Sequence, residues 1–598
     1  MIVGIDLGTT HSALAYALPG EPVAILSIPQ VVAPRSIEAR PLLPSFVFFP
    51  HESDGKQPLP WDAGRTFVVG ERARAEGASQ PTRVVSSAKS WLSHRSVDRR
   101  AAMLPLSAPD DVDKVSAVEA SWRFLEHLAE AYDAHFAGGD DAQKLAAQEI
   151  VLTVPASFDA AARELTVEAA FAAGLENVTL LEEPQAAVYA WIAARGDRWR
   201  TELRPGDVLL VVDVGGGTTD FSAIAVVDDG GSLALSRVAV GDHILLGGDN
   251  MDLALAHLLL GRFEASGQTL DAWQFATLTH ACRAAKERLL GDETLATHPV
   301  AVAGRGANLL GGTLRSELSR ADVEQTLVQG FFPEVPKDAR PVARARGALT
   351  QLGLPYASDP AVTRHLASFL GKQAGALPAP SGERRTFLHP TCILFNGGVM
   401  KSAVLRERLV RALTTWLAEE GAPPPRVLEG ADYDLAVARG AAAYALARHG
   451  AGIRIRGGTA RAYYVGIEDA APAVPGVAPK VRALCIAPFG MEEGTSAELP
   501  MELGLVVGEK VQFRFFGSSV RRGDAAGVLL ERWADGELEE LAPVDVGVPA
   551  EGREEGDVVP VRLHADVTAI GTLALTAIPL TPRAPDERFG VELNVREG

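Results

Sequence analysis

One short pattern occurs twice in this sequence and constrains the fold more than any other feature. Residues 1–18, MIVGIDLGTTHSALAYAL, predict a strand over 2–7, a turn at GTTHS and a second strand over 13–18. Residues 208–227, VLLVVDVGGGTTDFSAIAVV, repeat that order. In both copies an aspartate lies near the end of the first strand, and after one further residue glycine and paired threonines follow. Two such units in one chain predict a duplicated domain.

The composition of these turns predicts their chemistry. Glycine lets the backbone approach a ligand closely and adopt positive φ, and threonine supplies hydroxyl groups. Carboxylates suit Mg²⁺, which usually keeps its waters and is bound through one or two carboxylates plus phosphate oxygens. Each turn therefore predicts a site for phosphate and magnesium, and the pair predicts two hairpins that close on one nucleotide.

The residues after the glycines exclude two other designs for binding phosphate. A P-loop needs GxxxxGK[ST] running into a helix, and neither turn contains a lysine. The dinucleotide fingerprint also needs a helix directly after its glycines. Both turns here lead into a strand, so backbone and hydroxyl groups on two hairpins must hold the phosphates.

Composition narrows the class of protein further. The chain has 598 residues, 47% of them hydrophobic, which is enough for several compact units with a sizeable core. The net charge of −19 argues against non-specific nucleic-acid binding, which needs a basic face. The three cysteines are widely spaced and form no CxxC pair, a pattern typical of a reduced, cytoplasmic protein without a cysteine zinc site. No apolar run approaches the roughly 18 residues of a membrane span, so we expect no membrane partner.

Further segments identify a family. The paired turns resemble those of the superfamily of actin, sugar kinases and heat-shock 70 ATPases. Four segments, in the family's order, resemble the DnaK-type heat-shock 70 chaperones: VLTVPASFDAAARELTVEAAFAAGLENVTLLEEPQAAVYAW (151–191), LLGGDNMDLAL (245–255), LFNGGVMKSAVLRERL (394–409) and DYDLAVARGAAAYALA (432–447). The resemblance covers about residues 1–450 and implies an α/β fold there, an actin-like (ribonuclease H-like) duplicated two-lobe ATPase domain.

The resemblance also implies a site for Mg²⁺ and ATP or ADP. Asp6, Asp213 and Asp220 match the acids around the metal and its waters. Lys89, in SSAKSWL, matches the lysine that orients the attacking water and stabilises the γ-phosphate, and Glu183, in LLEEP, matches the acid that links the metal's shell to the site. The implied catalytic residues are Lys89, Glu183, Asp213 and Thr218. The implied nucleotide-binding residues are Gly8, Thr9, Thr10, Gly215, Gly216, Gly217, Thr218, Gly247, Gly248, Lys286, Gly397, Gly398 and Asp434.

The expected base end of the nucleotide site departs from the family. The family's adenine-stacking arginine aligns with Glu287, and its ribose-binding glutamate aligns with Arg283. Either this exchange preserves a local ion pair, or the alignment slips and Arg288 does the stacking. The second stacking position is Lys401, a poorer planar partner than arginine. We expect these changes to affect the affinity for adenine more than nucleotide binding itself.

The pattern changes after residue 450. The runs ARAYYVGIE, KVRALCIAPF, KVQFRFFGSS, VPVRLHADV and GTLALTAIPL are short, β-rich and bounded by glycine, proline and aspartate. They predict a β-sandwich-like domain over residues 451–598, in the place of the family's peptide-binding domain. The family's hydrophobic interdomain linker falls near GIRIRGG, which carries arginines. The family's helical lid has no counterpart in this sequence, so we expect a divergent, lid-less member.

Helical periodicity predicts helices over 115–136, 160–173 and 402–420. Residues 331–390 have no family counterpart over most of their length. They include a helical pattern, DPAVTRHLASFL, and then the Pro/Gly/Ser-rich GKQAGALPAPSGER. Two interpretations stay open, a tolerated loop and an insertion that binds a partner.

These features predict an ATP-dependent, chaperone-like protein of the cytoplasm, in which slow Mg²⁺-dependent ATP hydrolysis is coupled to client or partner binding. The expected partners are ATP, unfolded polypeptides or a dedicated protein partner, and a nucleotide-exchange factor. One alternative is a small-molecule kinase on the same fold, which needs a sugar-sized acceptor pocket with an aspartate base, whereas Lys89 and Glu183 match hydrolysis. The other is a nucleotide-gated scaffold with little turnover, against which the intact Lys89 and Thr218 argue.

Overall fold

The computed structural model describes the greater part of the chain. The described residues are 1–18, 21–94, 96–229, 232–304, 313–342, 353–377, 385–449, 455–456, 459, 461–468, 480–491, 495–508, 510–518, 520–521, 523–534, 536–541, 544–547, 553–554, 556–567, 573–583 and 587–593. The chain divides into two compact units: Met1–Ala234 with Val240–Arg454, and Leu235–Ala239 with Ile455–Gly598.

The chain contains both strands and helices up to residue 454, and strands alone follow in the described part beyond it. The strands of the first part are β1 (Ile2–Leu7), β2 (His11–Ala17), β3 (Ala24–Ile25), β4 (Ile28–Ala33), β5 (Ser36–Arg40), β6 (Leu43–Pro44), β7 (Val47–Phe48), β8 (Val68–Val69), β9 (Val84–Val85), β10 (Glu149–Val154), β11 (Val178–Glu182), β12 (Val208–Val214), β13 (Thr219–Asp229), β14 (Ser232–Val240), β15 (Thr297–Val302), β16 (Leu314–Ser319), β17 (Cys392–Asn396) and β18 (Arg426–Val427). The α-helices are α1 (Glu71–Glu76), α2 (Ala88–Leu92), α3 (Ala117–Phe136), α4 (Ala160–Ala172), α5 (Glu183–Arg195), α6 (Trp199–Glu202), α7 (Gly248–Ala265), α8 (Ala272–Gly291), α9 (Arg320–Val323), α10 (Gln329–Phe331), α11 (Val362–Lys372), α12 (Ala403–Glu419) and α13 (Ala436–Arg448).

Two sheets with the same plan form the centre of the first unit. One has the order β11-β10-β1-β2-β3, with β6 also on β2, and the other contains the order β18-β17-β12-β13. β1 pairs antiparallel with β2 and parallel with β10, and β12 pairs antiparallel with β13 and parallel with β17. Every residue of β12 is buried, as expected for an apolar strand that is covered on both faces. The predicted α/β class and the duplication are therefore present.

Small residues let α13 lie unusually close to its neighbours. A Cβ added to Gly440 would lie 1.7 Å from the carbonyl oxygen of Ala186 on α5. A Cβ added to Gly4 on β1 would lie 2.4 Å from the carbonyl oxygen of Ala438. The run AVARGAAAYALA therefore forms a helix that is packed through its backbone between α5 and β1.

The three predicted helices are present as α3, α4 and α12. The predicted bounds differ by at most two residues from those in the structure. α3 begins directly after Ser116. The Ser116 side chain accepts a hydrogen bond from the backbone N–H of Glu119 and so caps the start of the helix.

The segment without a family counterpart contains α11 and packs in part on α12. Trp416 donates to the carbonyl of Val335 at 2.7 Å, and Arg408 donates to that of Phe332 at 2.8 Å. The part of this segment around 331–335 is therefore fixed to the first unit. The second half of the Pro/Gly/Ser-rich run, residues 378–384, lies outside the described residues.

The second unit consists of strands. They are β19 (Ile455–Arg456), β20 (Ala462–Glu468), β21 (Val481–Ala487), β22 (Thr495–Val506), β23 (Lys510–Phe513), β24 (Phe515–Ser518), β25 (Leu529–Leu530), β26 (Glu539–Glu540), β27 (Val544–Gly547), β28 (Val558–Val567), β29 (Leu573–Pro579) and β30 (Phe589–Leu593). One sheet has the order β25-β21-β20-β24-β26 and another the order β22-β28-β29-β30. Both sheets contribute to one hydrophobic cluster, with Val465 and Leu484 from the first and Val561 and Leu575 from the second.

All five β-rich runs named from the sequence contain strands in the structure. Of the arginine-bearing GIRIRGG, residues 452–454 and 457–458 lie outside the described residues. No helix in the described ranges is both long enough and apolar enough to span a membrane.

Candidate functional site

Most of the predicted site residues meet in one cavity of the first unit, with a volume of about 390 Å³. The predicted residues that line it are Asp6, Gly8, Thr9, Thr10, Lys89, Glu183, Asp213, Gly215, Gly216, Thr218, Gly248, Lys286, Gly397, Gly398 and Asp434. The predicted residues outside its lining are Gly217, Gly247 and Asp220. All three nevertheless lie against lining residues.

The two glycine–threonine turns touch each other. A Cβ added to Gly216 would lie 1.8 Å from Thr10 Oγ1, and one added to Gly217 would lie 2.7 Å from Thr9 Cγ2. Gly247 approaches the same turn, since its Cβ would lie 2.6 Å from the carbonyl oxygen of Gly216. None of these three glycines has a positive φ. Glycine is therefore required here by the close approach of the segments.

Lys89 and Glu183 form a buried ion pair at the cavity wall. Lys89 lies on α2, with only 5% of its side chain exposed, and its Nζ donates to Glu183 Oε1. Glu183 is the first residue of α5, where the helix dipole favours a carboxylate. Burying either charge alone would be costly, so each side chain holds the other in place.

Three carboxylates interact electrostatically with this ion pair: Asp213 and Asp220 are buried, and Asp6 is half-buried. Asp6 is near the end of β1, and in the second sheet Asp213 of β12 lies opposite Asp220 of β13. Burial and, to a smaller extent, the nearby Glu183 carboxylate raise the pKa of Asp6 to about 7. Burial also raises the pKa of Asp220 to about 7 and that of Asp213 well above its usual range. The ammonium of Lys89 offsets only part of this repulsion.

The cluster fits a cation that is bound partly through water. Among the described residues, no three or more His, Cys, Asp or Glu side chains are grouped so that they could hold a metal. Mg²⁺ usually retains several waters and takes one or two carboxylates plus substrate phosphates. Such a cation would relieve the repulsion among Asp6, Asp213 and Asp220.

Two polar atoms beside the cluster support a bound ligand. In the described structure Thr10 Oγ1 and Asn396 Oδ1 are buried and have no hydrogen-bond partner. Buried polar side-chain atoms in proteins nearly always have one. The amide nitrogen of Asn396 already donates to Asp213 Oδ2 at 2.7 Å. A phosphate, a metal-bound water or a ribose would satisfy the free oxygens.

A polar network forms another part of the cavity wall. Arg283 of α8 donates to Asp249 and Asp252 of α7, at 2.7 Å in each case. Lys286 lies 2.6 Å from Asp252 Oδ1 and donates to the carbonyl of Gly248 at 2.9 Å. Arg283 is therefore held in ion pairs with α7.

Glu287 and Arg288, the two candidates for the adenine-stacking position, lie in different environments. Glu287 lines the cavity and lies 3.6 Å from Arg74, so it has an ion-pair partner of its own. Arg288 is exposed and is not part of the lining, so of these two residues Glu287 is the one that lines the cavity. Lys401 and Asp434, both in the lining, pair at 2.6 Å.

Sequence reasoning missed several lining residues, among them His11, Asp249, Asp252, Asn396 and Tyr433. His11 directly follows the first turn, and burial lowers its pKa to about 3, so it is neutral. Asn396 ends the fully buried strand β17. A polar residue at the end of an apolar strand could have been recognised in the sequence as a candidate site residue. The pairing of Asp249 and Asp252 with α8 carries no local signal, because the partners are more than 30 residues away.

Comparison with known proteins identifies the family of this chain. The family model described as Hsp70 protein matches residues 2–344. The chain is 31% identical over 368 residues to a chaperone protein HscA homolog of Bordetella petrii, which covers 59% of this chain and 50% of that protein. It is 29% identical over 364 residues to the HscA homolog of Shewanella denitrificans, with 58% and 50% covered. It is 34% identical over 303 residues to the chaperone protein HscA of Pectobacterium carotovorum, with 48% and 41% covered.

The chain thus spans about half the length of the first of these curated relatives. The family match covers more than half of the chain and includes two of the four segments, 151–191 and 245–255, so it confirms the resemblance to the family. This chain belongs to the Hsp70 family, which implies an actin-like two-lobe ATPase fold.

Proposed function

We propose that this protein is an ATP-driven, chaperone-like protein of the cytoplasm. An ATPase domain spans about residues 1–450, and a β-sandwich-like domain over 451–598 binds clients or a partner. The observation that carries the proposal is the direct contact between the two glycine–threonine turns, beside the Lys89–Glu183 pair in one cavity. The three cysteines are unpaired and buried, which favours a reducing compartment.

The residues in the cavity have the properties that phosphoryl transfer to water requires. That reaction depends mainly on positioning and on neutralising the phosphate charge. The hydroxyls and backbone N–H groups of the two turns would bind the phosphates, and Lys89, fixed by Glu183, would donate to the γ-phosphate and orient water. Mg²⁺ near Asp6, Asp213 and Asp220, when bound, supplies further neutralisation of the phosphate charge. No protein nucleophile is needed.

An exposed apolar patch supports partner binding by the second unit. Val558, Ile578 and Leu580 are exposed. Arg562 and Ile578 are opposite each other in the register of β28 and β29, and both are exposed, so Ile578 lies on the face away from the core. Grouped apolar side chains on a surface often mark an interaction site. Unfolded polypeptides or a dedicated protein partner would suit such a face, as would be expected of a chaperone.

Single-turnover ATP hydrolysis with Mg²⁺ tests the proposal. Lys89→Ala is expected to bind ATP but to hydrolyse it about a hundredfold more slowly, since one donor aimed at developing charge is worth roughly 3 kcal/mol. Lys144→Ala is the matched control, because Lys144 is a surface lysine that pairs with Asp141. Its rate should equal that of the wild type.

The same assay separates the alternatives. Phosphate release without any added acceptor supports hydrolysis and argues against a small-molecule kinase. Tight ATP binding without turnover in the wild type would instead identify a nucleotide-gated scaffold. Equal rates for Lys89→Ala and the wild type would remove Lys89 from the mechanism.

A further inference from the structure

The helix that carries Lys89 has only five residues, Ala88–Leu92. Helices this short are not stable on their own, because nucleation is costly and few backbone hydrogen bonds repay it. The position of Lys89 must therefore be fixed by contacts outside the helix. Both residues that flank it, Ser87 and Ser93, make such contacts with the segment that leads into α7.

Ser87 holds the start of the helix in an unusual way. Its φ of 54° and ψ of 29° lie in the left-handed region, which is unfavourable for residues other than glycine. A serine at this position usually accepts a hydrogen bond from the first turn of its helix, but the Ser87 side chain makes no such bond. Its hydroxyl instead donates to Asp249 Oδ2 at 2.9 Å. This bond to a carboxylate explains why the strained conformation persists.

Ser93 holds the other end of the helix. Its hydroxyl lies 2.9 Å from His243 Nε2 and also 2.9 Å from the carbonyl oxygen of Ser90. The other ring nitrogen of His243 lies 2.6 Å from Ser157 Oγ, which hydrogen-bonds to Asp220. One histidine therefore links the end of the Lys89 helix to a buried carboxylate of the site.

His243 and Asp249 belong to one short stretch, residues 243–249, which also contacts the second phosphate turn. The N–H of Gly248 donates to the carbonyl of Gly215 at 3.0 Å, and the N–H of Asp249 donates to that of Gly216 at 2.8 Å. A Cβ on Gly247 would collide with the same turn. The backbone of this stretch is thus fixed to the phosphate turn, while its side chains hold the helix.

We propose that residues 243–249 form a clamp that positions Lys89 relative to the second phosphate turn. Ser87, Ser93 and His243 act as positioning residues, through Lys89, and the inference rests on the proposed ATPase function. The clamp connects three separate parts of the chain, so a shift of the phosphate turn is transmitted to Lys89. Ser157 extends this connection to Asp220.

The effect of removing the clamp should depend on the presence of Lys89. Ser87→Ala is expected to lower kcat about tenfold, the usual scale for a hydrogen bond to a charged group, with little change in the Kd for ATP. Ser93→Ala is expected to lower kcat by a smaller factor in the same way. In a Lys89→Ala background neither substitution should lower the residual rate further, since residues that act through one group are not additive.

Three variants serve as controls. Ser87→Gly removes the hydroxyl but accommodates the left-handed conformation, so it should be as slow as Ser87→Ala if the bond to Asp249 matters. Ser116→Ala removes the side chain that caps the start of α3. Ser266→Ala removes a hydroxyl at the end of α7 that donates a hydrogen bond to the nearby carbonyl of Phe263, as the Ser93 hydroxyl does to Ser90. Both are expected to reduce stability slightly and leave kcat unchanged. The clamp is refuted if Ser87→Ala lowers kcat equally with and without Lys89, or leaves kcat unchanged.

Hydrogen–deuterium exchange of the nucleotide-free protein tests the clamp without any hydrolysis. Amides of residues 88–92 should exchange faster in Ser87→Ala and Ser93→Ala than in the wild type, while α3 keeps its protection. This outcome supports the clamp even if the wild type proves to have no ATPase activity, which would contradict only the proposed function. Unchanged exchange over 88–92 in both variants would overturn the clamp.

Discussion

The contact between the two glycine–threonine turns predicts the effect of Gly216→Ala. The new Cβ would lie 1.8 Å from Thr10 Oγ1 and 3.1 Å from Thr10 Cβ. Rotation about χ1 of Thr10 moves the hydroxyl away but leaves its Cβ in place, so the turns must separate by several tenths of an ångström. Overpacking of this kind typically costs about 1–3 kcal/mol. We expect the free energy of unfolding to fall by that amount, and the affinity for ADP to fall with it.

Urea unfolding and calorimetric titration with ADP and Mg²⁺ measure both effects, and the neighbouring glycine is the matched control. A Cβ on Gly215 would meet nothing closer than Thr218 O at 3.7 Å, and the residue has no positive φ. Gly215→Ala should therefore keep its stability or gain up to about 1 kcal/mol from reduced unfolded-state entropy. Adding Thr10→Ala to Gly216→Ala should restore part of the lost stability, because the colliding hydroxyl is gone. Equal stability of the two single alanine variants would refute the packing argument.

Two further predictions concern other parts of the first unit. Gly397→Ala should weaken folding and nucleotide binding, because φ is 86° at this residue and a Cβ would lie 2.4 Å from the carbonyl oxygen of Val214. Gly398→Ala is the control and should fold normally, because its Cβ would meet nothing within 4 Å. Thermal melts with and without ADP compare the two variants. His127 is buried and its Nε2 lies 2.9 Å from the carbonyl oxygen of Pro29, and burial lowers the pKa of His127 to about 4. The unfolded state therefore binds the proton first, and as pH falls from 6.5 to 4 the protein should lose up to about 3 kcal/mol of stability through this residue. His127→Asn should make the pH dependence of urea unfolding shallower over that range, and an unchanged slope would contradict the assignment.

Local sequence patterns predicted the elements of the fold well, but not the pairing between distant elements. The strand over 2–7 is observed at those bounds. The second strand starts at His11 rather than at 13, because β1 pairs with it up to Ser12 and β6 pairs with His11. The amphipathic helices α3, α4 and α12 follow from their own periodicity. The parallel pairing of β12 with β17 joins residues about 180 positions apart, and no local signal specifies it.

The site shows the same division between local and distant contacts. The glycines, threonines and aspartates of the two turns are recognisable because each turn is a continuous stretch of sequence. Lys89 and Glu183 are 94 residues apart. From the sequence, only the resemblance to a family predicted that they share a site. Ser87 lies in the quoted segment SSAKSWL, but the sequence predicted no role for it, and His243 lies outside the quoted segments. Their roles depend on hydrogen bonds across the fold, so they become visible only when α2 and residues 243–249 are seen together.

The raised pKa values of the site carboxylates make stability depend on pH and on cation binding. Because the pKa of Asp6 and that of Asp220 are raised to about 7, the folded state holds protons there that the unfolded state has released. Stability from these groups therefore decreases as pH rises from about 4 to 7, opposite in sign to the effect of His127. A cation near the carboxylates lowers their pKa values and removes that cost, and any ligand that binds only the folded state adds to its stability. An uncomplexed triphosphate would instead add negative charge beside Asp6, Asp213 and Glu183. The site should therefore accept nucleotide together with its metal, because the metal offsets the repulsion from both the protein and the phosphates.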